Sequence, residues 1–218
     1  YYAFISYNGS LYCGGAFIER DLVLTAAHCI RGRTFTVYPG ITTVRDLKRS
    51  KGYEMKSAVS HAEYWKTGNW AYDIGLIKLK EKIELNNKAQ LIEMATEAPP
   101  DGEEATVVGF GAVKCKRKQR CNEYARKSKH LRSTRISILA TIGDRLIVTL
   151  SHGNTSTCYG DSGGPITYDG KIIAVVSWGQ YGDCTGFNFQ GPVFTMLDWI
   201  EKLKRKCKYK TKVCCNVP

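Results

Sequence analysis

Three segments of the sequence carry side chains that together could activate a hydroxyl group as a nucleophile. Ser162 lies in the run Gly-Asp-Ser-Gly-Gly-Pro at 160–165, His28 in Thr-Ala-Ala-His-Cys at 25–29, and Asp73 in Asp-Ile-Gly-Leu at 73–76. A serine hydroxyl attacks a carbonyl carbon usefully at neutral pH only when a histidine takes its proton and a carboxylate orients that histidine. The three residue types therefore indicate nucleophilic chemistry at a carbonyl carbon.

Along the chain these residues follow the order histidine, aspartate, serine. Unrelated folds that carry the same three catalytic residue types place them in different orders along the chain. With its flanking residues, the sequence resembles the trypsin/chymotrypsin-like serine endopeptidases from its start to about Lys206. The resemblance implies that Ser162 is the nucleophile and that His28 is first the general base and then the general acid. It also implies that Asp73 holds the imidazole in the correct tautomer.

The segment around Ser162 has two further roles by the same resemblance. The backbone N–H groups of Gly160 and Ser162 would form the oxyanion hole, and flanking glycines let the chain turn sharply there. Asp161 would be the activation carboxylate, which pairs with a new α-ammonium group after activation cleavage. The sequence begins at Tyr1, which by this resemblance lies inside the family's first strand, so the residue that would supply the ammonium group is absent from it. Truncation, disorder and a zymogen-like state are all compatible with this start.

The resemblance also identifies a substrate-binding strand and a specificity pocket. Ser177-Trp178-Gly179 would pair with an extended substrate through backbone hydrogen bonds. Ser156, six residues before the nucleophile, would form the pocket floor, where trypsin-like members carry an aspartate that pairs with Lys or Arg. A serine removes that charge and favours a large apolar or aromatic residue before the scissile bond. Pro192 stands where the family has a pocket-wall glycine, so a narrowed pocket is the alternative.

The cysteine content indicates an exported protein with disulfide bonds rather than a reduced cytosolic enzyme, because the chain has nine cysteines. The four histidines do not stand at zinc-ligand spacings from cysteine pairs, so we expect neither a metal nor another cofactor. By the resemblance, Cys13 pairs with Cys29 and Cys158 with Cys184. The odd total leaves one thiol free or bonded elsewhere, and the pairing stays open for Cys115, Cys121, Cys207, Cys214 and Cys215.

Short runs rich in Val, Ile and Thr recur between turn signals, which favours an all-β protein. Five such runs precede residue 80, six follow residue 104, and the stretch 95–102 is typical of a linker. We therefore expect two packed six-stranded β-barrels, residues 1–98 carrying His28 and Asp73 and residues 99–218 carrying Ser162. Met196, Trp199, Ile200 and Leu203 have helical spacing, which predicts a C-terminal α-helix before a basic, Cys-rich tail. The active site would lie in the cleft between the barrels.

The net charge of +12 is concentrated in two basic clusters. Residues 114–135 carry ten Lys and Arg against Glu123 alone, and residues 202–212 carry seven against no acid. Charge runs are usually solvated faces, but two dense clusters in an exported protein favour a polyanionic glycan as a further partner. Nucleic acid is less favoured, because no aromatic platform accompanies the basic residues. No run approaches the roughly 20 apolar residues that cross a bilayer, so we expect no membrane partner.

The sequence therefore predicts a secreted serine endopeptidase, extracellular or held in a secretory granule, that acts on peptide or protein substrates. We expect it to cleave after large apolar or aromatic residues. The alternative from a different class is a catalytically inactive homologue that uses the same scaffold to bind or block a partner, including a glycan. The intact His28, Asp73 and Ser162 favour the enzyme.

Overall fold

Two closed antiparallel β-barrels make up most of the fold, as the sequence predicts. The computed structural model describes residues 1–67, 71–114, 125–143, 145–152, 155–180 and 184–208. The first barrel has six strands, hydrogen-bonded in the order β1-β2-β3-β6-β5-β4. These strands are β1 Tyr2–Tyr7, β2 Ser10–Glu19, β3 Leu22–Thr25, β4 Thr36–Pro39, β5 Tyr53–Ser60 and β6 Gly75–Leu79.

Six further strands close the second barrel, in the order β10-β11-β14-β13-β12-β7, and β8 pairs with β9 in a separate ribbon. The strands after the linker are β7 Glu104–Gly109, β8 Ala112–Lys114, β9 Arg126–Lys127, β10 Arg132–Ile142, β11 Leu146–Ser151, β12 Pro165–Tyr168, β13 Lys171–Gly179 and β14 Phe187–Pro192. The predicted fold class is confirmed. The boundary between residues 98 and 99 stays a prediction.

Two strand predictions need changes. The sequence analysis found no strand at β5, although Tyr53 and Met55 alternate with Glu54 and Lys56 as in a half-buried strand. The last of the six strand-like runs after residue 104 is Pro192–Phe194. The strand at this place, β14, instead ends at Pro192, because Val193 takes a helical conformation and Phe194–Met196 form a 3-10 helix.

The chain ends, in its described part, with the expected helix α2, Leu197–Lys208, while a short helix α1 spans Ala62–Thr67. Met196 and Ile200 are buried in the same apolar cluster as Leu24 and Ile77 of the first barrel. The same cluster contains Ile172 and Val175 of β13, so the buried face of the helix joins a core shared by both barrels. No helix among the described residues is long and apolar enough to cross a membrane.

Candidate active site

His28 and Asp73 meet because they follow and precede two neighbouring strands. β3 and β6 are paired from Leu22 to Thr25, His28 lies in a 3-10 turn three residues after β3, and Asp73 lies two residues before β6. The His28 Nδ1 atom is 2.7 Å from Asp73 Oδ2, and the backbone N–H of His28 donates to Asp73 Oδ1 at 2.9 Å. The carboxylate therefore fixes both the ring and the backbone that carries it.

Asp73 is completely buried and accepts a third hydrogen bond, from the Ser177 hydroxyl to Oδ2 at 2.5 Å. A buried carboxylate is costly unless it is satisfied, and three donors satisfy this one. With its proton on Nδ1 and directed at the carboxylate, the His28 ring presents Nε2 as a base. The sequence assigned Ser177 only to the substrate strand. Its side chain also orients the carboxylate, a contact that only the packing of β13 against Asp73 reveals.

The Ser162 loop is held between the two barrels by backbone hydrogen bonds on both sides. Gly14 of β2 donates to the carbonyl oxygen of Ser162 at 2.8 Å, and Gly163 donates to the carbonyl oxygen of Val176 in β13 at 2.7 Å. Gly14 follows Cys13, which is bonded to Cys29, the residue after His28. These contacts bring the serine loop beside the His28 segment.

The Ser162 hydroxyl itself makes no hydrogen bond to the described residues, the His28 imidazole included. Hydrogen bonds of this kind are often long without substrate and tighten only in the reacting complex. The arrangement at the site is therefore a preformed histidine–aspartate pair with a serine held next to it.

Two backbone N–H groups near Ser162 are available to a ligand. The N–H of Asp161 bonds to the carbonyl of Cys158, and the N–H of Gly164 bonds to that of Asp161. Within the described ranges, the N–H groups of Gly160 and Ser162 have no acceptor. Gly160 has a φ of +101°, a conformation that glycine adopts readily. Two such donors can bind an oxygen atom that gains negative charge.

Asp161 lies beneath these donors with its carboxylate inside the protein. Its Oδ1 accepts from the N–H of Gly111 at 2.7 Å and its Oδ2 from the N–H of Cys158 at 3.0 Å. A Cβ atom at Gly109 or Gly111 would collide with the carboxylate oxygens, so both glycines are needed for this approach. Burial raises the pKa of Asp161 to about 6 despite these two hydrogen bonds. The carboxylate would therefore be stabilised by a cation.

The predicted pocket floor is uncharged. The Ser156 hydroxyl donates to the carbonyl oxygen of Thr157 at 3.0 Å and accepts from the Ser151 hydroxyl at 2.9 Å. Buried Asn188 and Gln190 of β14 extend this network. Their partners through hydrogen bonds are Thr149, Ser151, Thr157 and the backbone N–H of Ser177.

Sequence reasoning missed Asn188 and Gln190, although their alternation with Phe187 and Phe189 was a usable signal. The other residues predicted to form the pocket lie on β13 and β14. Trp178 stacks on Phe189 with ring centroids 4.0 Å apart, and Gly179 is exposed at the end of β13. Pro192 is buried opposite Ala174.

Both disulfide bonds expected near the site are confirmed. Cys13 bonds to Cys29 and Cys158 to Cys184, with Cα–Cα distances of 6.2 and 5.2 Å. The sulfur atoms of Cys13 and Cys29 lie close to a ring nitrogen of His28, but they are bonded to each other and cannot act as thiolate ligands. Cys115, Cys121, Cys214, Cys215 and the side chain of Cys207 lie outside the described residues.

Comparison with known proteins covers most of the chain. The family model for trypsin matches residues 1–200. Trypsin theta of Drosophila melanogaster is 31% identical over 192 residues, which cover 79% of this chain and 68% of that protein. A trypsin of Simulium vittatum is 30% identical over 206 residues, covering 87% and 78%.

Solved structures agree on the fold. Neuropsin, described as a serine protease expressed in the limbic system of mouse brain, superposes with a TM-score of 0.81 at 23% identity and covers 93% of both chains. Human heparin binding protein has a TM-score of 0.81 at 23% identity, covering 94% of this chain and 91% of its own.

Proposed function

Because the chain belongs to the trypsin family of serine proteases, we propose that it is an endopeptidase that hydrolyses peptide bonds through an acyl-enzyme. The observation that carries the proposal is the buried Asp73, which holds His28 through Nδ1 and so leaves Nε2 as the ring nitrogen that can act as the base. The two available N–H groups of Gly160 and Ser162 supply the second requirement, an oxyanion site.

The reaction follows from these positions. Ser162 Oγ attacks the scissile carbonyl carbon while His28 Nε2 takes its proton, and the carbonyl oxygen gains its negative charge at the N–H groups of Gly160 and Ser162. His28 then donates the proton to the leaving nitrogen, and the C–N bond breaks. Water, deprotonated by His28, then attacks the acyl carbon. The bond between that carbon and Ser162 Oγ breaks, His28 returns the proton to Oγ, and the acid leaves. Asp73 stays ionised and stabilises the imidazolium in both steps.

The burial of Asp161 supports the proposal that this residue is the activation carboxylate. A buried carboxyl with a raised pKa is stabilised when a cation enters beside it, and the family's activation step supplies an α-ammonium group. The site would then be completed by proteolysis of a precursor. The two disulfide bonds support secretion, because such bonds persist in oxidising compartments.

We further propose cleavage after large apolar or aromatic residues, because the floor at Ser156 offers hydroxyl groups and no charge. A chromogenic peptide with Phe before the scissile bond should be hydrolysed with a kcat/KM about 100-fold above that of its Lys counterpart. Ser156→Asp should raise the ratio of kcat/KM for the Lys peptide to that for the Phe peptide about tenfold or more, because the new carboxylate has the charge opposite to that of lysine. The Ser151 hydroxyl is placed to donate a hydrogen bond to a carboxylate at this position.

Ser156→Asn is the matched control, because it adds similar bulk without charge and should leave the Lys-to-Phe ratio low. A wild-type protein that prefers Lys or Arg would contradict the proposed specificity. Absence of hydrolysis of every peptide, in activated protein, would favour the inactive homologue.

Glycan binding is a second candidate function. The described part of the two basic clusters includes exposed cations, and one structural neighbour is described as human heparin binding protein. The exposed cations are Arg126, Lys129, Arg132, Arg135, Lys202 and Arg205. Of these, Arg135 is paired with Glu104, so the others carry the proposal.

The measurement is the salt concentration that elutes the protein from a heparin column. A triple variant with glutamine at Arg126, Lys129 and Arg132 should elute at a clearly lower salt concentration than a variant with glutamine at three exposed lysines elsewhere. The control lysines are Lys56, Lys82 and Lys171. Equal shifts for both triple variants would show a net-charge effect only and remove this candidate.

A further inference from the structure

Lys127 lies against the site on the side away from the substrate-binding strand. It belongs to β9, and its Nζ donates to the carbonyl oxygen of Leu11 in β2 at 3.1 Å. Its Cε lies 3.2 Å from the point where a Cβ atom of Gly160 would stand. A cationic side chain therefore passes directly over a residue of the proposed oxyanion hole.

A second cation lies beside the next residue of β2. The Arg33 guanidinium is stacked over the ring of Tyr12, 4.5 Å from its centroid, and lies 5.1 Å from that of Tyr7. Arg33 is exposed, and it follows the Cys29 end of the disulfide bond by four residues. Two basic side chains thus lie beside the consecutive residues Leu11 and Tyr12.

The backbone of β2 shows which part of a substrate would pass here. Ser162 lies between β13 and β2. The Gly163–Val176 hydrogen bond joins its loop to β13, and the Gly14–Ser162 hydrogen bond joins it to β2. The substrate residues before the scissile bond are assigned to β13 at 177–179. The residues after it must leave on the β2 side. There β3 pairs with β2 only from Ala16 onward, so Leu11–Cys13 have a strand edge that β3 does not cover.

We propose that Lys127 and Arg33 select substrates with an acidic residue within the first two positions after the scissile bond. The inference rests on the proposed peptidase function and names a substrate class for the same site. Successive side chains of an extended peptide point to opposite faces. Leu11 and Tyr12 pack against two different apolar clusters, so the cations beside them lie on two different sides of β2. An acidic side chain in the first or second position after the scissile bond would therefore lie near Lys127 or Arg33, and its negative charge would be attracted to that cation.

Acyl transfer isolates this side of the site, because the acyl group is held constant. An ester of a peptide ending in Phe acylates Ser162, and the acyl-enzyme then partitions between water and an added dipeptide amide. The probes are Glu-Leu-amide against Gln-Leu-amide for the first position and Leu-Glu-amide against Leu-Gln-amide for the second. We expect the acidic member of at least one pair to be favoured about fivefold at low salt.

Variants identify the source of the preference. Lys127→Gln should reduce the fivefold ratio to about twofold or less, and Lys127→Glu should reverse it toward a Lys-containing acceptor. Arg33→Gln tests the second cation in the same way. Lys171→Gln is the matched control, because Lys171 is an exposed lysine at the β12–β13 turn, outside the candidate site.

The outcomes separate the two proposals. Ester hydrolysis with equal use of acidic and neutral acceptors overturns the acidic preference and leaves the peptidase intact. A preference that survives in both Lys127→Gln and Arg33→Gln, or that falls equally in Lys171→Gln, overturns the assignment to these residues. No acyl-enzyme at all, in activated protein, overturns the peptidase proposal and this inference with it.

Discussion

Asp73→Asn is expected to lower kcat by about 10⁴-fold, with folding retained. The asparagine side chain keeps the shape but replaces one oxygen that now contacts His28 Nδ1 or accepts from the backbone N–H of His28. An amide N–H at that place favours the tautomer with its proton on Nε2, so the ring no longer accepts the proton of Ser162. The imidazolium of the transition state also loses its counter-charge.

The measurement is steady-state kinetics on an apolar peptide substrate, with the melting temperature as a check of folding. Ser177→Ala is the matched comparison, since it removes one of the three hydrogen bonds to Asp73 and keeps the charge. We expect it to cost about tenfold in kcat. An Asp73→Asn protein that keeps more than a tenth of the wild-type kcat would show that this pair does not orient the base.

Gly163→Ala should strongly destabilise the protein, because one added methyl group would separate the serine loop from β2. A Cβ atom here would collide with Thr25 Oγ1 and would lie 2.6 Å from the carbonyl oxygen of Gly14, while the φ of +74° is itself unfavourable for alanine. Backbone atoms on both barrels would have to separate. We expect a loss of about 3–5 kcal/mol in the free energy of unfolding and a melting temperature lower by about 10 °C.

Gly170→Ala separates the effect of the backbone strain at positive φ from the effect of the atomic collision. Gly170 has a nearly equal φ of +73°, but a Cβ atom there would meet nothing within 4 Å. This control should therefore show only the backbone strain, about 1–2 kcal/mol. Thermal unfolding of both variants decides the point. If they lose the same stability, the close contact between the serine loop and β2 is not a constraint on the fold.

The candidate site residues could be named from the sequence because their motifs are local. The Ser162 loop, the segment around His28 and the cysteine pairs each carry their chemistry within a few residues, and the order of the three site residues narrowed the fold. Two barrels then followed from the strand-like runs and the linker. The first and second barrels close as expected.

The features that the sequence did not predict depend on contacts between distant segments. Ser177 orients Asp73 across 104 positions, and Lys127 contacts Leu11 across 116. No periodicity or motif links such pairs. The burial of Ile200 in a cluster that includes first-barrel residues was missed for the same reason, because an amphipathic pattern shows which face is buried and not what covers it.

The central claim is that Ser162 is a nucleophile activated by His28. The most direct measurement is labelling of the activated protein with a fluorophosphonate, followed by mass spectrometry of the modified peptide. The account predicts stoichiometric labelling at Ser162, none in Ser162→Ala and strongly slowed labelling in Asp73→Asn. A folded, activated protein that leaves Ser162 unmodified would contradict it.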